Sequence, residues 1–264
     1  MRFLAILLTL ISTSAFGADI VFFRGSPEKQ TGHSGLVPDS WRPRIVLSGE
    51  IRPGDDKRFA AVLKQADVQS KEWATDRTLR LSSYGGDVAT AMSIGRLVRK
   101  AQLTTIVQNN DTCASACVLI LAGGVWRIAW GNARIGLHRP YFYDPGKATG
   151  GGYKNFQEAY DSVLEAHRAY FSEMRIGAGL LERMVQIPSN DVHWIDHATA
   201  SRLSLLGEDP TYAEWKRAQR IAKMGRKCVE WEDKHFSECF GRSLSNIESL
   251  EQCETRTSKP TGCD

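Results

Sequence analysis

Cys113-Ala114-Ser115-Ala116-Cys117-Val118-Leu119-Ile120-Leu121-Ala122-Gly123-Gly124 places one hydroxyl among small residues directly ahead of an apolar run. The run reads as a buried helix over 114–122, and a serine at such a start lies near unpaired N–H groups and the positive end of the helix dipole. Taken alone, a serine there is more often an ordinary cap. The segments around it decide more. Upstream, short apolar strands at 45–47, 78–81 and 103–107 alternate with amphipathic helices at 55–68 and 88–100. Strands alternating with helices of that length specify βαβ units and a parallel sheet, whose ligand sites gather at the carboxyl ends of the strands.

Two more segments fall at such ends. Gly85-Gly86 closes the turn Ser82-Ser83-Tyr84-Gly85-Gly86, and adjacent glycines leave backbone N–H groups uncovered, as an oxyanion hole requires. In Arg134-Ile135-Gly136-Leu137-His138-Arg139-Pro140, His138 ends a short strand, where one ring nitrogen can face a serine while an orienting group holds the other. Each has a plainer reading, as a simple turn and a structural histidine. Beyond them, 141–152 reads as a mobile glycine-rich loop. The helix over 155–174 follows, with positions 156, 160, 163, 164, 167, 170 and 171 forming its packing face.

Ser83-Tyr84-Gly85-Gly86, Ala114-Ser115-Ala116 and Leu137-His138-Arg139-Pro140, in this order, resemble the Clp protease proteolytic subunit and, more broadly, the Clp/crotonase superfamily, over about residues 45–207. The family's segments are Ser-Pro-Gly-Gly, a serine opening an apolar helix among small residues, and Ile-His-Gln-Pro. The resemblance implies an α/β fold, a repeated ββα superhelix with a parallel sheet. It also implies that Ser115 is the nucleophile and His138 its base, with an oxyanion hole from the Gly86 and Ala116 amides shaped by Gly85. The family's aspartate precedes an aromatic residue and a helix. Asp191 is preferred for that role because Asp196 reads as the cap of a helix at 197–205.

The implied activity is hydrolysis of peptide bonds in short or unfolded polypeptides through an acyl-enzyme. The implied assembly is a homo-oligomer built through the 155–174 helix. Tyr84 stands where the family has proline, which leaves the turn less rigid. The alternative reading is therefore a catalytically inactive secreted binding or scaffold protein on the same fold. Coenzyme A thioester chemistry is disfavoured, because that cofactor is scarce outside cells.

Residues 1–17 set Arg2 ahead of a short apolar run and small residues, the layout of a secretory signal peptide cut after Gly17, with Ala18 the neighbouring option. The run is too short to act as a stable membrane anchor. A periplasmic or secreted protein is expected, with an extended leader over 18–43, the Clp/crotonase-like domain over 44–210 and a helical extension over 211–264. Cys113, Cys117, Cys228, Cys239, Cys253 and Cys263 all follow the signal, and an even count in an exported chain implies disulfides, with pairing left open. No close Cys-x-x-Cys pair supports a metal site. The net charge of +4, or +3 once Arg2 leaves with the signal, is too small to imply nucleic acid. No phosphate-binding loop is present, so neither an ATPase partner nor a cofactor is expected.

Overall fold

The computed structural model describes residues 17–24, 43–70, 73, 77–141, 153–244 and 260–263. The signal peptide before Gly17, leader residues 25–42, loop residues 142–152 and Cys253 lie outside them. The chain divides into two compact units, Met1–Gly207 and Glu208–Asp264. The division precedes the expected boundary at 210 because Asp209 belongs to the helix that follows it: its carboxylate accepts from the Tyr212 N–H at 2.9 Å.

The first unit is α/β. Strands β1 (Asp19–Phe23), β2 (Arg44–Ser48), β3 (Thr78–Ser82), β4 (Thr104–Val107) and β6 (Trp126–Ala129) lie side by side in that order, and the short β9 (Gly207–Glu208) follows β6. β2, β3, β4 and β6 are parallel, as the alternation of strands and helices requires. The sheet as a whole is mixed, because β1 runs antiparallel to β2 with Ile20 opposite Leu47. A second sheet joins β5 (Thr112–Ala114) parallel to β7 (Arg134–Leu137), with β8 (His193–Ile195) antiparallel beyond it. The expectation of one parallel sheet therefore holds only for the central strands.

Alternation explains the inward faces: Ile45, Leu47, Leu79 and Leu81 are fully buried while the residues between them are half-buried. Against them pack α1 (Asp55–Gln69), α2 (Val88–Lys100) and α3 (Cys117–Gly123), and every residue of α3 is buried. α4 (Tyr153–Glu173) docks its C-terminal half on the same unit, where the buried Tyr170 donates its hydroxyl proton to the Leu119 carbonyl at 2.6 Å. α5 (Gly179–Val185) and α6 (His197–Arg202) complete the unit. Asp196 caps α6 by accepting from the Thr199 N–H.

The second unit is a pair of helices, α7 (Pro210–Met224) and α8 (Arg226–Leu244), joined at Gly225. α7 buries none of its residues, so an apolar core cannot hold this hairpin. Arg217 and Arg220 pair with Asp233, and Arg220 also pairs with Glu232. Cys228 is bridged to Cys263, and Cys239 is also disulfide-bonded. Cross-links here take the place of buried area. Among the described residues, no helix is long and apolar enough to cross a membrane.

Candidate active site

The segment expected to be one helix from Ala114 folds differently. Thr112–Ala114 is drawn into the second sheet, since the Ala114 N–H donates to the Ser83 carbonyl at 3.0 Å and the Ser115 N–H to the Gly136 carbonyl at 3.1 Å. Helix α3 starts only at Cys117. Ser115 is left on the bend between strand and helix, with φ +55°. A non-glycine residue in the left-handed region costs about 1–2 kcal/mol, so neighbouring contacts must hold it there. From Asp111 to Val125, Ser115 is the one residue that is not buried.

The Gly85-Gly86 turn packs directly on this bend. A Cβ on Gly85 would stand 2.6 Å from Ser115 Cβ and 2.9 Å from both the Ala114 carbonyl and the Ala116 nitrogen. With φ of +105° and +140°, both glycines hold backbone shapes that side chains rarely adopt. Ile51 fixes the turn from the other side: its N–H donates to the Gly85 carbonyl at 2.8 Å, and its carbonyl accepts from the Asp87 N–H at 2.8 Å. In such a parallel bridge, the central residue's own N–H points away from the partner, so the Gly86 N–H is directed away from Ile51. Neither this N–H nor that of Ala116 has a hydrogen-bond partner among the described residues. The buried Ser83 stiffens the turn, its hydroxyl donating to the Gly49 carbonyl and accepting from the Gly85 N–H at 3.1 Å.

His138 follows β7, the parallel neighbour of β5, with Ala114 opposite Gly136. The register brings Ser115 and His138 to the carboxyl ends of adjacent strands, and both line one small cleft with Ala116, Val88, Leu119 and His167. The His138 ring is nearly buried, and Nδ1 lies 2.8 Å from the Arg139 carbonyl. A carbonyl can only accept, so Nδ1 is the donor of this pair and Nε2 is the ring nitrogen left for another partner. Arg139 is itself held, its backbone N–H and its Nε both donating to the Ile187 carbonyl. No hydrogen bond joins the Ser115 hydroxyl to His138 among the described residues.

The expected carboxylate is not on the histidine. Asp191 is exposed and its Oδ1 accepts from the Val192 N–H at 2.8 Å, while Asp196 is occupied as the α6 cap. The backbone carbonyl of Arg139 occupies the orienting position instead, a donor–acceptor pair that no side-chain pattern reveals. Cys113 and Cys117 are bridged across the serine, with Cα atoms 5.2 Å apart. The covalent link spans the bend and ties the last residues of β5 to the first of α3.

His167 was legible only as part of the α4 packing face. It is buried in the cleft wall, its Nδ1 donates to the Val163 carbonyl at 2.8 Å, and burial lowers its pKa below the ordinary imidazole value. A larger cavity of about 430 Å³ lies in the second unit beside Arg220, Trp231, Asp233 and Phe236. Its ionic groups are paired with one another and it holds no nucleophile, so its size does not make it the reactive centre. Among the described residues, no cluster of three metal-ligating side chains exists.

Fold and site together define the class: an α/β protein carrying a strained serine, a histidine held by a backbone carbonyl and a glycine turn around one cleft. No family model matches the chain, and a search of curated proteins finds no relative.

Proposed function

We propose that the chain is an exported serine hydrolase of the Clp/crotonase type, which cleaves peptide bonds in short or unfolded polypeptides without ATP. The observation that carries this reading is Ser115, held at φ +55° on a strand-to-helix bend against Gly85 and sharing its cleft with His138. In the proposed reaction, Ser115 Oγ attacks the scissile carbonyl carbon and His138 Nε2 takes the hydroxyl proton. The Gly86 and Ala116 N–H groups hold the oxyanion. The C–N bond breaks as His138 returns the proton to the leaving amine, and water then hydrolyses the acyl-enzyme by the same steps. Disulfides in both units favour a periplasmic or secreted location, outside the reducing cytoplasm. A homo-oligomer built through α4 belongs to the same proposal.

A fluorophosphonate probe tests it: the wild-type protein is labelled and Ser115→Ala is not. Equal labelling of the two overturns the proposal. The unmade Ser115–His138 hydrogen bond favours a second reading, a binding or scaffold protein that keeps the fold without turnover. Ser115-dependent release of any peptide product excludes that reading.

A further inference from the structure

Ala18, directly ahead of β1, is fully buried, and its backbone nitrogen donates to Asp55 Oδ2 at 2.9 Å. Asp55 opens α1 and is itself only 2% exposed. The same Oδ2 accepts from the Arg52 N–H at 2.9 Å, while Oδ1 pairs with the Arg58 guanidinium at 2.8 Å. One carboxylate thus fastens β1 to the 49–54 turn. Ile51 of that turn grips Gly85 and Asp87, and with them the Gly86 N–H of the oxyanion turn. Asp55 is therefore one turn removed from the reacting groups.

The residue before Ala18 is equally informative. A Cβ on Gly17 would lie 2.4 Å from both carboxylate oxygens, so a larger residue there must push the Asp55 side chain aside. The signal peptide read from residues 1–17 ends at this same glycine, and the stretch read as the start of an extended leader instead enters a regular strand at Asp19.

We propose that hydrolysis of the Gly17–Ala18 peptide bond during export leaves the α-ammonium of Ala18 buried against Asp55, making Asp55 a positioning residue for the Gly85-Gly86 turn. An export peptidase is the catalyst and water the co-reactant. The hydroxyl of water joins the Gly17 carbonyl carbon, which departs as a carboxylate. The freed nitrogen takes up protons and becomes an ammonium. A neutral N–H donor to Asp55 is then replaced by a charged one, and charge-assisted hydrogen bonds are roughly twice as strong. The inference rests on the exported hydrolase reading. Among the described residues, the charged groups tied to this contact are Asp55, which accepts from Ala18, and Arg58, whose guanidinium pairs with the same carboxylate; Arg52 donates its backbone N–H to it, while its side chain pairs with Glu50.

The test compares the exported chain, its first residue mapped by intact mass, with a chain released from a tag so that it begins at Gly17. Each is made with Asp55 and with Asp55→Asn. The readouts are the fluorophosphonate labelling rate at Ser115 and the urea midpoint. The chain beginning at Ala18 should label about tenfold faster than the one beginning at Gly17, and Asp55→Asn should erase that difference. The labelling of the chain beginning at Ala18 should also fall as pH rises past about 8, the ordinary α-amino range, as the ammonium loses its charge. A purely structural Asp55 would not produce that alkaline limb. A mature chain beginning at another residue, or equal rates for the two chains, overturns the inference. If no form is labelled, the hydrolase reading fails by itself. The ion pair is then judged by the urea midpoints, and equal midpoints reject it.

Discussion

Gly85→Ala separates the site from the scaffold. At φ +105° a side chain is strained, by about 1–3 kcal/mol. The new Cβ must also displace Ser115 Cβ at 2.6 Å, the Ala114 carbonyl at 2.9 Å and the Ala116 nitrogen at 2.9 Å, overpacking that adds about 1–3 kcal/mol. Gly207→Ala is the control. Gly207 has a similar φ of +111° but nothing within 4 Å of a Cβ, so only the strain applies there. Urea denaturation should show Gly85→Ala less stable than Gly207→Ala by about 1–3 kcal/mol, the overpacking alone. Fluorophosphonate labelling should drop about 100-fold in Gly85→Ala, because a shift near 1 Å in a reacting group has that effect, and stay unchanged in Gly207→Ala. Identical stability and labelling in the two variants would refute the claim that this turn packs on the nucleophile.

The other expectations concern the histidines and the bridge. His138→Ala should slow labelling by about 100-fold to 10,000-fold, whereas Asp191→Asn should leave it near wild type; a loss in Asp191→Asn comparable to that in His138→Ala would put the carboxylate on the imidazole after all. Replacing both Cys113 and Cys117 by alanine should slow labelling while the fold persists by circular dichroism. The same change at Cys228 and Cys263, which lie in the second unit, should spare it. His167 is held below its ordinary pKa of 6.5 by burial, so the unfolded chain takes up its proton first as pH falls. Stability should be full above pH 6.5 and decline as pH drops from there through the lower folded-state value. The decline should be smaller in His167→Gln, and an unchanged pH profile in that variant would show that His167 does not drive it.

Gly85-Gly86, the bend at Ser115 and the strand ending at His138 each owe their sequence signal to local chemistry. Glycine is required where φ is positive, small residues where backbones approach, and apolar alternation where a strand is half-buried. For that reason the order of the central strands and helices, the Asp196 cap and the three site segments were all legible along the chain. The short strands β1, β5 and β8 were not, because partners far away in sequence create them. β5 exists only because Ser83 and Gly136 offer carbonyls to Ala114 and Ser115, and that pairing replaces a helical start that the local sequence favours.

What the sequence determined by itself was the α/β class, the candidate serine, histidine and glycines, and a cysteine-stapled tail, since each follows from periodicity, residue type or count. The tertiary structure alone decided that a backbone carbonyl, and not Asp191, orients His138. It alone brought His167 into the cleft wall and Asp55 onto Ala18. A carbonyl is present at every residue and carries no sequence mark. A buried histidine or carboxylate takes its role from groups that only folding brings within hydrogen-bonding distance.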